Sequence, residues 1–300
     1  MGLCKSLVNL GASVCDNPIS VASRLIFVPL VGASGQANGF DTDEAVTKAG
    51  VETMINAANR QDRIYPLPIL EDVESKRGDA AFHEFKSGAK KFVKYGTKHL
   101  SAFIPMQHAQ FLEKLKAWNG QKFGVFIVDL KGNFIYQTDA ATREKVLPFP
   151  VDGNSFVADY VDPTYSEVNM VKMDFDYKVS AKDEMMRFIP ASALDFNALD
   201  EDEVYALWDV KAEVSNESTA GFDLKLVTDY GVPVTSLEQT DFSITDQEGD
   251  AATITGVTIA EDGTYTIACD SLIGGEILKV VATQNRYDFS ALAALTVTIP

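Results

Sequence analysis

The chain has 300 residues and a formal net charge of −17 at pH 7, with 46% hydrophobic, 23% charged and 10% aromatic residues. This composition excludes disordered, collagen-like and disulfide-framework proteins and is typical of a folded globular protein. Since domains commonly hold about 100–200 residues, we expect two of them.

The first fifteen residues, MGLCKSLVNLGASVC, match the short N-myristoylation pattern, with Ser6 in the required place and Cys4 available for a second acyl chain. We expect this match to be coincidental, and the stretch lacks the apolar core of a secretory signal. No apolar run approaches the roughly 20 residues of a membrane span, so no membrane partner is expected.

The three cysteines, Cys4, Cys15 and Cys269, cannot all pair with one another. Pairing of Cys4 with Cys15 remains an open alternative. Because the sequence has no Cys-x-x-Cys motif and no clustered histidines, we expect no metal site and a chain made in a reducing cytoplasm.

The first two thirds of the chain mix strand and helix patterns. The apolar run Leu25–Ala33 contains a proline and predicts a strand near a sheet edge. Apolar stripes predict helices from Asp43 to about Arg60 and from Gln107 to Trp118. Two apolar runs around a Lys-Gly-Asn turn predict a hairpin over Phe123–Tyr136, and alternation over Val168–Val179 predicts a half-buried strand.

This order of elements has no strand-helix-strand rhythm. We therefore predict a mainly β fold with flanking helices, an α+β class with an antiparallel sheet, over residues 1–203.

Charge marks a boundary near residue 204. Residues 204–300 hold four basic and fifteen acidic side chains, a net charge of −11. The acidic run Asp200–Glu203 predicts an exposed turn or linker just before this segment. We accordingly predict a linker at 204–209 and a second domain at 210–300.

Period-two alternation dominates the second domain. Its short runs are rich in Val, Ile and Thr, are separated by turn residues, and predict an antiparallel β-sandwich. They are Phe222–Thr228, Asp241–Thr245, Thr253–Ile259, Thr264–Cys269, Ile277–Thr283 and Ala294–Ile299. With the turn-then-tyrosine segment Asp262-Gly-Thr-Tyr265, the pattern resembles the immunoglobulin-like (Ig-like) Big-type modules of bacteria and phages.

Basic residues concentrate in one segment of this acidic chain. Within Val73–Pro105 there are seven, at Lys76, Arg77, Lys86, Lys90, Lys91, Lys94 and Lys98. The segment predicts strands at Ala81–Phe85, Lys90–Tyr95 and Lys98–Ile104, joined by turns at Lys86–Gly88 and Gly96.

Strict alternation along the middle strand predicts Lys91, Val93 and Tyr95 on one face and Phe92 and Lys94 on the other. Each face then holds both a lysine and a large apolar side chain. This pattern indicates an arm that extends away from the core of its own domain and is covered by something other than that core.

Three coverings of the arm are open: nucleic acid, a second copy of the chain, or solvent alone. Lysines and stacking aromatics suit nucleic acid, but the surrounding negative charge repels a polyanion. A basic arm on the acidic surface of the next copy has complementary charge, so we favour self-association. The predicted interface arm consists of Lys76, Arg77, Lys86, Lys90, Lys91, Phe92, Lys94, Tyr95 and Lys98.

Motifs for catalysis and nucleotide binding are absent from the sequence, including G-x-S-x-G, H-E-x-x-H and both glycine-rich phosphate loops. We expect no enzyme activity, no catalytic residues and no cofactor. A pocket that combined His83, His99 and a carboxylate would favour an enzyme instead.

The layout of residues 1–200 resembles the tailed-phage major tail proteins, also called tail tube proteins. The resemblance depends on a charged loop at Glu71–Asp79, strand pairs, a helix at 107–118, the Phe123–Tyr136 hairpin and a final strand at 168–179. It implies a tail-tube-like β-sandwich or barrel with an externally displayed Ig-like domain.

By that resemblance, six copies form a ring through a closed sheet and the rings stack into a tube. DNA passes through the lumen without specific binding, because an acidic wall does not hold DNA by counterion release. The partners are then the chain itself and other tail proteins, in a virion assembled in the cytoplasm of a bacterial host. The alternatives are a capsid decoration or head fibre protein and a cell-surface adhesin with an Ig-like binding module.

Overall fold

The structure is a computed structural model that describes residues 19–166, 168–246, 248–270, 272–275, 277–282, 286–290, 292 and 296–300. The myristoylation pattern and the open question of Cys4 and Cys15 lie outside these residues. In the described ranges, none of the helices has the length and apolar character needed to cross a membrane.

The chain divides between Tyr205 and Ala206 into two compact units. In the first unit, two α-helices accompany twelve strands in the described ranges. The strands are β1 (Ala22–Pro29), β2 (Tyr65–Pro66), β3 (Glu71–Arg77), β4 (Ala81–Glu84), β5 (Lys90–Lys94), β6 (Lys98–Pro105), β7 (Phe123–Asp129), β8 (Phe134–Gln137), β9 (Phe149–Pro150), β10 (Val157–Val161), β11 (Met170–Asp176) and β12 (Met186–Ile189). The helices are α1 (Lys48–Ile55) and α2 (Ala109–Lys116).

Two larger antiparallel sheets form the body of the first unit. One has the order β12-β8-β7-β1-β2, with β9 also paired to β7, and the other has the order β10-β11-β6-β3. The predicted mainly β, antiparallel architecture with flanking helices is confirmed. Strand β1 has only the two-residue β2 beyond it, in agreement with its predicted place near a sheet edge.

Alternating side chains from both sheets form a shared core. On β6 these are Leu100, Ala102 and Ile104, which are at most 2% exposed and pack with Phe27 and Phe175 from other strands. Because successive side chains of a strand point to opposite faces, this burial places the intervening residues of β6 on the outer face of its sheet.

Helix α2 confirms the helix predicted at 107–118, and β7 with β8 confirms the hairpin at Phe123–Tyr136. Helix α1 is shorter than predicted. A 3₁₀ turn at Asp43–Ala45 precedes it, and the Thr47 hydroxyl accepts a hydrogen bond from the Gly50 N–H, so the helix begins at Lys48. Thr47 is an N-cap of the kind that stabilises a helix start.

The prediction of a charged loop at Glu71–Asp79 is wrong, because Glu71–Arg77 forms strand β3, which pairs with β6. Its side chains are mostly exposed, since it is a terminal strand of the sheet. The exposed surface explains why the sequence lacks the apolar alternation of a buried strand.

The predicted linker at 204–209 is shorter in the structure. Val204 and Tyr205 are buried in the first unit, and Trp208 already begins a strand of the second. The acidic run before it, Asp200–Glu203, forms a turn.

The second unit consists of eight described strands. They are β13 (Trp208–Ser218), β14 (Gly221–Thr228), β15 (Phe242–Thr245), β16 (Ile254–Ile259), β17 (Thr264–Cys269), β18 (Ile277–Ala282), β19 (Tyr287–Asp288) and β20 (Thr296–Thr298). Two sheets, β16-β17-β14-β13-β19 and β15-β18-β20, enclose one apolar core. Six of these strands match the predicted runs. The other two, β13 and the two-residue β19, were missed, and in β13 six of the eleven residues are exposed and polar.

Tyr265 is the second residue of β17 and follows the turn at Asp262 and Gly263, as the sequence pattern predicted. Its hydroxyl donates to the Val234 carbonyl at 3.0 Å and accepts from the Leu237 N–H at 3.1 Å. A tyrosine that bonds the backbone of an upstream connection is a recurrent feature of Ig-like sandwiches.

Candidate functional site

Strands β4 and β5 form a separate two-stranded sheet, outside both larger sheets of the first unit. All five residues of β5 and three of the four in β4 are exposed. We call residues 78–97 the hairpin. A two-stranded hairpin without a packed face is marginal by itself, so this one is the kind of element that a partner surface stabilises.

The tip of the hairpin is a tight turn. The Gly88 N–H donates to the Phe85 carbonyl and the Phe85 N–H donates to the Ala89 carbonyl, both at 2.8 Å. Gly88 has a φ of +81°, a left-handed conformation that glycine adopts without steric cost. The predicted strands and the turn at Lys86–Gly88 are thus confirmed.

Two glycines form the neck where the hairpin joins β3 and β6. The Gly78 N–H donates to the Thr97 carbonyl at 2.9 Å. Gly96 lies so close to Gly78 that a methyl group on Gly96 would overlap the Gly78 carbonyl. The close approach of the two backbones explains why glycine is needed at this position.

The faces of the hairpin differ from the strict alternation predicted. A bulge lies where Ala81 pairs with Lys94 and Phe82 pairs with Phe92. The Phe92 ring therefore contacts Tyr95, at 4.7 Å between centroids, and Phe82, at 5.9 Å. The prediction that Phe92 and Tyr95 face opposite ways is wrong, because the bulge adds one residue to the alternation.

These three rings form an aromatic cluster that is open to solvent. Phe82 is 56% exposed, Phe92 45% and Tyr95 71%, and neighbouring Val93 is 59% exposed. Large apolar side chains gathered at this exposure commonly mark an interaction site.

The seven basic residues fall into two groups. Three of them lie at the base of the hairpin and form ion pairs within the chain. Arg77 and Lys98 reach the Asp183 carboxylate at 2.7 and 3.7 Å, and Lys76 contacts Glu74. Lys98 also lies 5.3 Å from the centre of the Tyr177 ring.

On the hairpin itself, Lys90 lies 3.9 Å from Glu84. Lys86, Lys91 and Lys94 form no ion pair with any residue that the structure describes. The predicted interface residues thus lie on β3, the hairpin and β6, and among the described residues those of the seven basic side chains without an ion pair are all on the hairpin.

The outer face of the sheet β10-β11-β6-β3 is acidic. Register places Lys76, His99 and Asp176 in one row across the sheet, and Glu74, Ser101 and Asp174 in the next. A third row adds Glu71, Phe103, Lys172 and Asp159. Five carboxylates thus share this face with two lysines, a feature that sequence reasoning missed because it depends on register between distant strands.

Asp174 shows how this face holds its charge. Its partial burial raises the pKa, but hydrogen bonds and charge from Lys172, Ser101 and His99 outweigh that effect and lower the pKa below its usual value. The Lys172 ammonium lies 2.8 Å from the carboxylate. Asp174 therefore remains ionised at neutral pH.

The two histidines that could indicate an enzyme lie in different sheets. The His83 ring contacts Phe85 on the hairpin at 4.8 Å. His99 Nδ1 lies 2.9 Å from Asp176 Oδ1 on the outer face of the larger sheet. In the part of the chain that the structure describes, no three His, Cys, Asp or Glu residues are arranged to hold a metal ion.

Comparison with known proteins adds no assignment. No family model matches the chain, and no curated protein matches it significantly.

Proposed function

We propose that this protein is a self-assembling structural subunit, the building block of a phage tail tube, in which rings stack around a lumen for DNA and the Ig-like unit is displayed outside. The observation that supports it most is the hairpin, whose aromatic cluster is exposed and whose Lys86, Lys91 and Lys94 form no ion pair with the residues that the structure describes. A basic arm in a chain of net charge −17 has its most complementary partner in another copy of the same chain.

The acidic outer face of the sheet β10-β11-β6-β3 supports the same function. Strands β3 and β10 are the terminal strands of that sheet, so neighbouring copies can extend it side by side into a closed ring. Facing inward, this surface carries a net negative charge, because its five carboxylates outnumber its two lysines. It therefore repels DNA phosphates and does not hold the DNA by counterion release. In this arrangement the hairpin joins protein to protein, and the acidic face meets the DNA.

Negative-stain electron microscopy with light scattering, over a range of protein concentrations, tests the proposal. We expect rings or stacked tubes with a central hole wider than about 20 Å, since a duplex whose major groove alone spans roughly 12 Å must pass through. Monomers at every concentration would contradict the proposal and favour a decoration protein or an adhesin.

A charge reversal connects assembly to the hairpin. The double variant Lys90→Glu, Lys91→Glu is expected to fold normally, because both side chains are exposed. It is expected to lose assembly, because the reversed charges no longer complement the acidic surface of the next copy. Lys211→Glu, in the Ig-like unit, is the matched control and is expected to assemble. Normal assembly of the double variant would show that the hairpin is not an interface.

A further inference from the structure

The hairpin and a second exposed cluster lie at opposite ends of the same sheet. Strand β6 begins at Lys98, next to the hairpin neck, and ends at Pro105, which pairs with Met170 at the start of β11. The described residues between β10 and β11, 162–166 and 168–169, therefore lie at the end far from the hairpin. Eight residues of β6 separate the two ends by roughly 26 Å, at about 3.3 Å per residue.

This far end has large apolar side chains that are exposed in the described part of the chain. Met106 is 71% exposed, Tyr165 fully exposed and Val168 50% exposed. Asp162, also exposed, directly follows Val161 of β10, which pairs with Met170. We call Met106, Asp162, Tyr165 and Val168 the far-end patch.

The backbone holds part of this patch in a defined shape. Met106 has a φ of +54°, a left-handed conformation that is uncommon for a residue with a side chain. Its N–H donates to the Asn169 carbonyl at 2.8 Å, and the Asn169 side chain donates to the Gln107 carbonyl at 2.7 Å. Residues held in sparsely populated backbone conformations by their surroundings cluster at functional surfaces.

We propose that the far-end patch of one copy receives the hairpin of the next, an inference that rests on the proposed function. The two surfaces are complementary: the aromatic cluster meets a methionine, a tyrosine and a valine, and the lysines of the hairpin meet the Asp162 carboxylate. A flexible thioether such as that of Met106 packs well against aromatic rings. Since donor and receiver lie at opposite ends of one sheet, the contact is head-to-tail and repeats along the strand direction.

Two variants that each disable one side of the contact test the proposal. Lys91→Glu with Lys94→Glu alters the hairpin, and Met106→Asp with Val168→Asp alters the patch. Alone, each is expected to form no stacks. Val232→Asp, at a position of the Ig-like unit with the same 50% exposure as Val168, is the control and is expected to stack as the unaltered protein does.

Mixing the two variants gives the decisive result. The hairpin variant keeps an intact patch and the patch variant keeps an intact hairpin, so one working contact forms in the mixture. Mass photometry is expected to show a particle with twice the mass of either variant alone, with no further growth. Circular dichroism and melting curves of each variant establish that it is folded.

The outcomes separate this inference from the proposed function. If the unaltered protein assembles, the hairpin variant does not and the patch variant stacks normally, the receiving surface is wrong and the proposed function stands. If both variants fail alone and their mixture also fails, the head-to-tail pairing is wrong. If the unaltered protein never assembles, the proposed function fails and this inference fails with it.

Discussion

The Arg77 guanidinium donates to the Asp183 carboxylate at 2.7 Å, although the two residues are 106 positions apart in the sequence. Arg77 ends β3 at the hairpin neck, whereas Asp183 lies in a 3₁₀ turn directly before β12 of the other sheet. Arg77 also lies 5.9 Å from the centre of the Tyr95 ring on the hairpin. This ion pair therefore connects the base of the hairpin to the opposite sheet and restricts the direction in which the hairpin extends.

Asp183→Asn removes that connection while keeping the shape of the side chain. We expect a loss of less than about 1 kcal/mol in the free energy of unfolding, because the pair is partly exposed. Faster amide hydrogen exchange at Gly78 and Thr97 is expected at the neck. Glu184→Gln, at the adjacent exposed position, is the control; equal exchange rates in the two variants would show that the ion pair does not hold the neck.

Gly96→Ala is expected to open the neck, since the added methyl group overlaps the Gly78 carbonyl. The core of the first unit does not include this position, so the melting temperature should change little while assembly is lost. Light scattering and thermal melting measure the two effects. Gly256→Ala, where the added methyl group meets no atom within 4 Å, should leave both unchanged. Normal assembly of Gly96→Ala would rule out a role for the neck geometry.

Arg24 is a buried cation whose guanidinium bonds backbone carbonyls. It is 2% exposed, and it donates to the Leu67 carbonyl at 2.7 Å, to the Ala198 and Asp200 carbonyls at 3.3 Å, and to the Val204 carbonyl. Burial lowers its pKa to about 10, against the opposing charge of Glu201 and Asp200. Arg24 thus fixes the segment 198–204 onto β1.

Arg24→Leu should therefore lower the free energy of unfolding by more than about 3 kcal/mol, since it leaves several buried carbonyls without donors. Urea denaturation of the variant measures this loss. Arg187→Leu, at an exposed arginine, is expected to cost less than about 1 kcal/mol. Equal losses for the two variants would show that the carbonyl contacts add no stability.

Asp129 holds the turn between β7 and β8 through its carboxylate. We therefore expect the stability of the first unit to depend on pH in the acidic range. The buried Asp129 carboxylate accepts the N–H groups of Ser20, Lys131 and Asn133 and the Asn133 side-chain amide, at 2.8–2.9 Å. Burial raises its pKa, but these hydrogen bonds outweigh burial and leave the pKa below 3.8. Its contribution to stability is thus present above about pH 3.8 and is lost as the pH falls through the lower, folded-state value.

Asp129→Asn should cost about 1–3 kcal/mol at pH 7, because an amide cannot accept all four bonds. The stability difference from the unaltered protein should shrink as the pH falls towards 2, as measured by urea denaturation at several pH values. Asp159→Asn, at an exposed position of β10, should change neither quantity. A difference that stays constant with pH would contradict the assigned role.

Tyr265→Phe should destabilise the second unit by about 1–3 kcal/mol, because the Val234 carbonyl and the Leu237 N–H lose a buried partner. Tyr287→Phe, at a half-buried tyrosine of the same unit, is the control. Thermal unfolding measures both variants, with the melting transition of the second unit followed separately from that of the first. A change confined to Tyr287→Phe would contradict the role given to the Tyr265 hydroxyl.

Local sequence pattern determined the position of many strands and turns of this protein. Period-two alternation was sufficient to locate six strands of the second unit, and glycine with lysine and serine at 86–88 located the tip of the hairpin. Apolar periodicity and turn chemistry act within a few residues, so they are visible in the sequence. The concentration of seven basic residues in one short segment is likewise a local feature, so the sequence alone shows it.

Tertiary structure decided what those residues contact. Only the packing of distant elements joined Arg77 and Lys98 to Asp183, and only register between β3, β6, β10 and β11 gathered the acidic face. The bulge that brings Phe92 to Tyr95 was likewise invisible, because a single added residue reverses the alternation and leaves no mark in composition. Contacts between residues far apart in the chain depend on how sheets pair and pack, and a local sequence pattern does not encode that choice.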